Sequence, residues 1–177
     1  ETLFVDQENE VVYSKENPKV DIKLDSESFV IYTSGSTGNP KGVMQTHLML
    51  SNLIQWDLDG SHIGSGRKHL QYSSFSFDSS LHDILFAFIG GGSICLTPAE
   101  IRKDFRALEN LILNEKIEVL SLPYAAVLNF FAQYDAGRFS SHSLKSIIST
   151  GEQLMITDEI EDFLNKNPLV ELHNHYG

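Results

Sequence analysis

Eleven consecutive residues, Tyr32-Thr33-Ser34-Gly35-Ser36-Thr37-Gly38-Asn39-Pro40-Lys41-Gly42, hold four small hydroxyl side chains, three glycines, one proline and one lysine. A packed core has no use for that mixture. Glycines let the backbone turn its N–H groups inward, hydroxyls add short donors and one lysine supplies a mobile positive charge, a combination that suits a phosphate chain. The order Pro40-Lys41-Gly42 is not that of a Walker A loop, which ends in Gly-Lys-Ser/Thr directly before a helix, and GxGxxG is absent. An ordinary Gly/Ser turn is the bland alternative, and the density of the pattern weighs against it.

The elements that must position this loop are legible on either side. Ser28-Phe29-Val30-Ile31-Tyr32 reads as a short strand, and Met44 to Asp57 carries Leu50, Leu53 and Ile54 at helical spacing, so the loop is expected to join a strand to a helix. Further strands are expected at His69 to Ser73, Ser93 to Thr97, Ile117 to Ser121, Ser146 to Thr150 and Leu169 to His173. Helices are expected between them: one on the face Leu81, Ile84, Leu85 and Phe88 stopped by Gly90-Gly91-Gly92, one from Phe105, one opened by Pro123, and one capped by Thr157 and stopped at Asn167-Pro168. Strand and helix alternating in this way predict an α/β fold, a mostly parallel sheet flanked by helices on both faces. Residues 1–28 are an acidic, peripheral lead-in with a candidate strand at Val11-Val12-Tyr13, and residues 29–177 form the core.

In such a sheet ligands bind beyond the carboxyl ends of the strands. Those ends are Thr33-Ser34-Gly35, Ser73-Ser74, Ser121, Thr150-Gly151-Glu152 and Asn174-His175-Tyr176-Gly177, nearly all polar or glycine, which points to one shared cleft. Ser76-Phe77-Asp78-Ser79-Ser80 precedes a helix, where Asp78 or Ser80 could cap it and Ser80 and Asp83 stand at capping-box spacing. His173 and His175 share a strand face, but two ligands without a third argue against a metal there, so no metal site is assigned in this chain.

Composition narrows the function classes. The chain has 177 residues and a formal net charge of −11, which disfavours nucleic-acid or anionic-membrane surfaces as partners, and no apolar run approaches the ~20 residues of a membrane span. The single cysteine, Cys95, lies in the apolar run Ser93-Ile94-Cys95-Leu96, which predicts a buried thiol, excludes a disulfide framework and suits a cytoplasmic setting.

Tyr32 to Val43, YTSGSTGNPKGV, resembles the phosphate loop of the adenylate-forming enzymes, a superfamily that includes acyl-CoA synthetases, luciferase-like ligases and the amino-acid adenylation domains of nonribosomal peptide synthetases. Phe77-Asp78-Ser79-Ser80 resembles the FDxS motif of the amino-acid adenylation domains, and Asn174-His175-Tyr176-Gly177 the start of the NxYGPTE motif. Taken together, the resemblance spans Phe29 to Gly177 and is to the central portion of the family's large domain.

The resemblance implies roles for residues. Thr33, Ser34, Gly35, Ser36, Thr37, Gly38, Lys41 and Gly42 would hold the phosphates of ATP, with Lys41 and Thr37 stabilising charge on the leaving pyrophosphate. Gly151, Glu152, Asn174, His175, Tyr176 and Gly177 would surround adenine, with Tyr176 stacking on the ring and Asn174 bonding its amine. Asp78 would pair with the α-ammonium of an amino acid, and Asp78, Ser79, His82, Ser121, Ile148, Thr150 and His175 would line the side-chain pocket. The implied reaction joins an amino acid to ATP as an aminoacyl adenylate for loading onto the phosphopantetheine of a carrier domain. Mg2+ is implied too, on an acidic residue beyond Gly177, and the 177 residues alone are expected to lack turnover, since the motif breaks off there and the later catalytic lysine is not among them. An acyl- or aryl-CoA ligase in which Asp78 only caps its helix, and a non-catalytic nucleotide-binding module, are the alternatives.

Overall fold

The computed structural model describes residue 14 and residues 16–34, 38–60, 63 and 66–175. Five strands form one parallel sheet: β3 (Lys68–Gln71), β4 (Ser93–Leu96), β5 (Val119–Pro123), β6 (Ser146–Thr150) and β7 (Glu171–His175), in the order β4-β3-β5-β6-β7. The expected mostly parallel sheet with helices is therefore present. The last strand runs two residues further than its apolar run suggested, so Asn174 and His175 belong to the strand itself.

Side-chain alternation along β5 and β6 explains the layers. Leu120, Leu122 and Ile147 face one core with α3 (Phe105–Asn114), α4 (Tyr124–Gln133) and α5 (Asp158–Lys166), where Leu108, Ile112, Val127, Phe131 and Phe163 are buried. Their sequence neighbours Val119 and Ile148 face the opposite side, against Ile54 of α1 (His47–Gly60) and Phe86 of α2 (Ser79–Ile89). Strands buried on both faces need continuous apolar runs, which is what Val119–Leu122 and Ser146–Ile148 provide apart from small serines. Thr157 caps α5 as its position predicts, accepting from the Ile160 N–H at 3.4 Å.

The first strand departs from expectation. β1 (Glu27–Thr33) does not join the parallel sheet; it pairs antiparallel with β2 (Lys41–Thr46), with Ile31 opposite Val43 and Thr33 opposite Lys41. The Gly/Ser-rich loop is thus a hairpin loop between two strands and does not open a helix. Residues 41–46 can extend because Val43 is β-branched and the pairing with β1 satisfies their backbone, while Thr46 accepts from the Met49 N–H at 3.4 Å and starts α1 at His47. Cys95 is half-buried at the edge of the core, short of the full burial its apolar run suggested. Val11-Val12-Tyr13 lies outside the described residues. Among those described, no helix is long and apolar enough to cross a membrane.

Candidate active site

A cleft of about 900 Å³ separates the β1–β2 hairpin from the carboxyl ends of the parallel strands. Phe29, Ile31 and Thr33, alternate residues of β1, form the hairpin wall; Ser73, Thr150 and His175 stand opposite, and the start of α2 closes one end. The expected cleft therefore lies at the strand ends, with the hairpin as its second wall.

On the hairpin, Thr33 Oγ1 donates to the Lys41 carbonyl at 3.4 Å, which ties the two ends of the loop together. Lys41 is exposed and its ammonium makes no ion pair with any described residue, so its charge is available to an anion. Ser34 is exposed, and Gly38 adopts φ +84°, a left-handed conformation that a residue with a Cβ rarely takes. Gly35, Ser36 and Thr37 lie outside the described residues, as do Tyr176 and Gly177.

At the start of α2, Asp78 is exposed on the cleft wall, and its Oδ1 accepts from the Ser79 N–H at 2.8 Å. Asp78 thus takes the cap position. The Ser80–Asp83 capping box does not form, because Ser80 Oγ donates to the Phe77 carbonyl at 2.7 Å and Asp83 is buried. Burial pushes the Asp83 carboxyl up to about 7, against the pull of His82 and of its hydrogen bonds to Ser121 and Ser73. One turn along, His82 Nε2 meets the carboxylate of Asp57, which is completely buried on α1. Burial disfavours the charged imidazole, but the hydrogen bond and charge of Asp57, with Asp83 and Asp78 nearby, outweigh it and raise the His82 pKa.

His175 completes this end of the cleft, its ring 5.8 Å from that of His82 and 5.4 Å from that of Trp56. Its pKa is lowered, chiefly by burial. Thr150 Oγ1 donates to the Leu122 carbonyl at 3.4 Å, and Gly151, at φ +86°, turns the chain along the wall. Glu152 and Asn174 are exposed nearby in the chain. The structure does not bring every implied pocket residue to the wall: Ser121 is buried against Asp83, and Ile148 is in the core beneath α1 and α2.

Asp57 is the residue the sequence reading missed. Its signal was present, since it follows the buried Ile54 by three positions and so shares the inward face of α1. Arg102, on the cleft wall beside Lys103, was missed as well; a short turn of 3₁₀ helix over Ile101–Lys103 places it, and Tyr72 Oη donates to its carbonyl at 2.8 Å.

The arrangement joins an exposed lysine on a Gly/Ser-rich hairpin loop to a polar cleft at strand ends, and the model of the AMP-binding enzymes matches residues 2–177. This chain belongs to the AMP-binding enzyme family. Within that family it is 38% identical over 149 residues to tyrocidine synthase 2 of Brevibacillus parabrevis and 39% identical over 150 residues to gramicidin S synthase 2 of Brevibacillus brevis. Each match covers 84% of this chain, which spans only 4% and 3% of those proteins. Two solved structures share the fold. The N-terminal domain of FACL13 from Mycobacterium tuberculosis matches with a TM-score of 0.73 at 23% identity, over 92% of this chain and 39% of that one. The nonribosomal peptide synthetase FmoA3 matches with a TM-score of 0.75 at 19% identity, over 87% of this chain and 16% of that one.

Proposed function

We propose that this AMP-binding chain is the nucleotide- and substrate-binding core of an amino-acid adenylation unit in a nonribosomal peptide synthetase. In the proposed reaction a carboxylate oxygen of the amino acid attacks the α-phosphorus of ATP, the bond to pyrophosphate breaks, and an aminoacyl adenylate forms. A phosphopantetheine thiol on a carrier domain then attacks the acyl carbon and releases AMP. The hairpin supplies Lys41 and the Ser34–Lys41 backbone to the phosphates, an electrostatic role that needs no covalent catalyst. Asp78 holds the α-ammonium, and Asn174 is at the adenine end, so much of the catalysis is orientation. Mg2+, which the proposed reaction would use, would offset charge on the phosphates, and the free thiol of Cys95 is in keeping with a cytoplasmic enzyme.

The observation that supports this reading most directly is the exposed carboxylate of Asp78 on the cleft wall, inside Phe77-Asp78-Ser79-Ser80, in a chain 38–39% identical to two peptide synthases. A substrate without the amine forgoes the charge-assisted hydrogen bond to that carboxylate, worth about 1.5–3 kcal/mol, or roughly 10–150-fold in kcat/KM. One observation favours a second reading, an acyl or aryl ligase: Asp78 already serves as a helix cap.

Asp78→Asn separates the two, because asparagine caps as well as aspartate but carries no charge. In the protein at its natural length, amino-acid-dependent exchange of pyrophosphate into ATP is expected to fail with des-amino acids and to fall about 10–100-fold in Asp78→Asn, with unfolding unchanged. Equal exchange with des-amino acids, or full activity in Asp78→Asn, would move the chain to the acyl ligases.

A further inference from the structure

We propose that Asp57, His82 and His175 form a binding site for a divalent transition-metal cation, with zinc as the best fit, at the inner end of the cleft. Three separate elements, α1, α2 and β7, bring one carboxylate oxygen and two imidazole nitrogens to within 4.8 Å of one another. Asp57 is fully buried, His82 is 8% exposed and His175 is half-buried, so these are not surface groups that meet by chance.

The donor chemistry selects the ion. Two imidazoles and one carboxylate suit zinc and its first-row neighbours, whereas magnesium prefers oxygen donors. Three protein ligands leave the fourth position of a tetrahedral ion open, and here His82 and His175 are on the cleft wall, so that position is accessible from the cleft. In the sequence, His173 and His175 share a strand face without a third donor. The fold supplies the third from α1 and replaces His173 with His82; His173 instead lies 3.4 Å from the Glu171 carboxylate.

Asp57 and His82 now share a hydrogen bond. The cation takes the place of the proton between them, which leaves to solvent, and the two donors move to the roughly 3.3 Å separation that two ligands of one tetrahedral ion need. His82 and His175 are also residues of the side-chain pocket that the adenylation reading implies, but the ion binds without ATP or amino acid, so the two readings are tested separately.

The test uses the protein at its natural length, stripped with a chelator and titrated with Co2+, whose visible d–d absorption reports coordination. One equivalent is expected to give the absorption of a four- or five-coordinate ion, and Zn2+ should abolish it. His175→Gln and Asp57→Asn should each weaken Co2+ binding by at least about tenfold, while His173→Gln binds as the parent does. Thermal melts of the metal-free variants check their folding; if Asp57→Asn does not fold, the half-buried His175→Gln decides. Absence of the absorption, equal affinity in His175→Gln, or an equal loss in His173→Gln would overturn the site and leave Asp57 and His82 as an ion pair alone.

Discussion

Along β5 and β6 every residue but the last is buried, whereas no residue of β1 or β2 is. The two walls of one cleft are thus held by different physics. The sheet wall is fixed by apolar burial on both faces, so Thr150 and His175 inherit their positions from the core. The hairpin wall is held chiefly by its own ladder of backbone bonds and by contact with α1. The phosphate-binding role proposed for the hairpin would need exposed N–H groups and an unpaired lysine, and burial would remove both.

The largest expected effect is in the sheet half. Phe163 is completely buried among Phe131, Tyr134 and Phe139, with ring centroids 5.0, 5.0 and 6.5 Å away. Phe163→Ala should cost about 3–5 kcal/mol in urea unfolding, from lost burial and the cavity left behind. A loss below about 1 kcal/mol would show that this core is loose and would break the contrast with the hairpin.

Next in size is a pH effect at His69 of β3, which is 5% exposed beside Phe86. Burial, chiefly, together with the positive charges of His82 and Arg67, lowers its pKa to about 4 against the opposing charge of Asp57. Above pH 6.5 the residue is neutral folded and unfolded, and it contributes nothing to pH dependence. As pH falls from about 6.5 to about 4 the unfolded chain takes up a proton that the folded one refuses, so stability is lost across that window, by up to about 3 kcal/mol. Asp83 acts with the opposite sign, since a carboxyl raised to about 7 favours the folded state as pH falls. The measurement is therefore the difference in unfolding free energy between the parent and His69→Gln from pH 7 to 4.5, with chelator present. The parent should lose stability relative to the variant; a flat difference would mean that the sheet half admits water at β3.

The same division decides how much was legible in the sequence. The strands and helices of the buried half announce themselves by period and punctuation: Val119–Leu122 is an apolar run broken only by the small Ser121, and Thr157 and Asn167 mark the ends of α5. β2 did not, because Lys41–Thr46 is exposed on both sides and its extended form comes from pairing with β1, a tertiary fact that local pattern does not encode. Site residues followed the same logic. Asp78, His82 and Thr150 could be named because they stand at motif positions or strand ends. Asp57 was not, because its spacing from Ile54 marks only an inward-facing carboxylate, which gains its meaning when the fold sets His82 against it.

The smallest expected effect falls on the hairpin and sharpens the comparison from the other side. Val43 is paired across the ladder with Ile31, lines the cleft and remains 41% exposed. Val43→Ala removes two methyl groups that are only partly shielded from water, and alanine keeps every backbone hydrogen bond of β2. At about 25 cal/mol per Å² for the area actually shielded, the cost should be below about 1 kcal/mol, with an unchanged dependence on urea. A loss as large as that of Phe163→Ala would mean that the hairpin is a packed part of the core and that its ladder is not what chiefly holds it. In that case the loop residues Ser34 and Lys41 would be as firmly positioned as the sheet wall, and the cleft would have one rigid frame in place of two unequal ones.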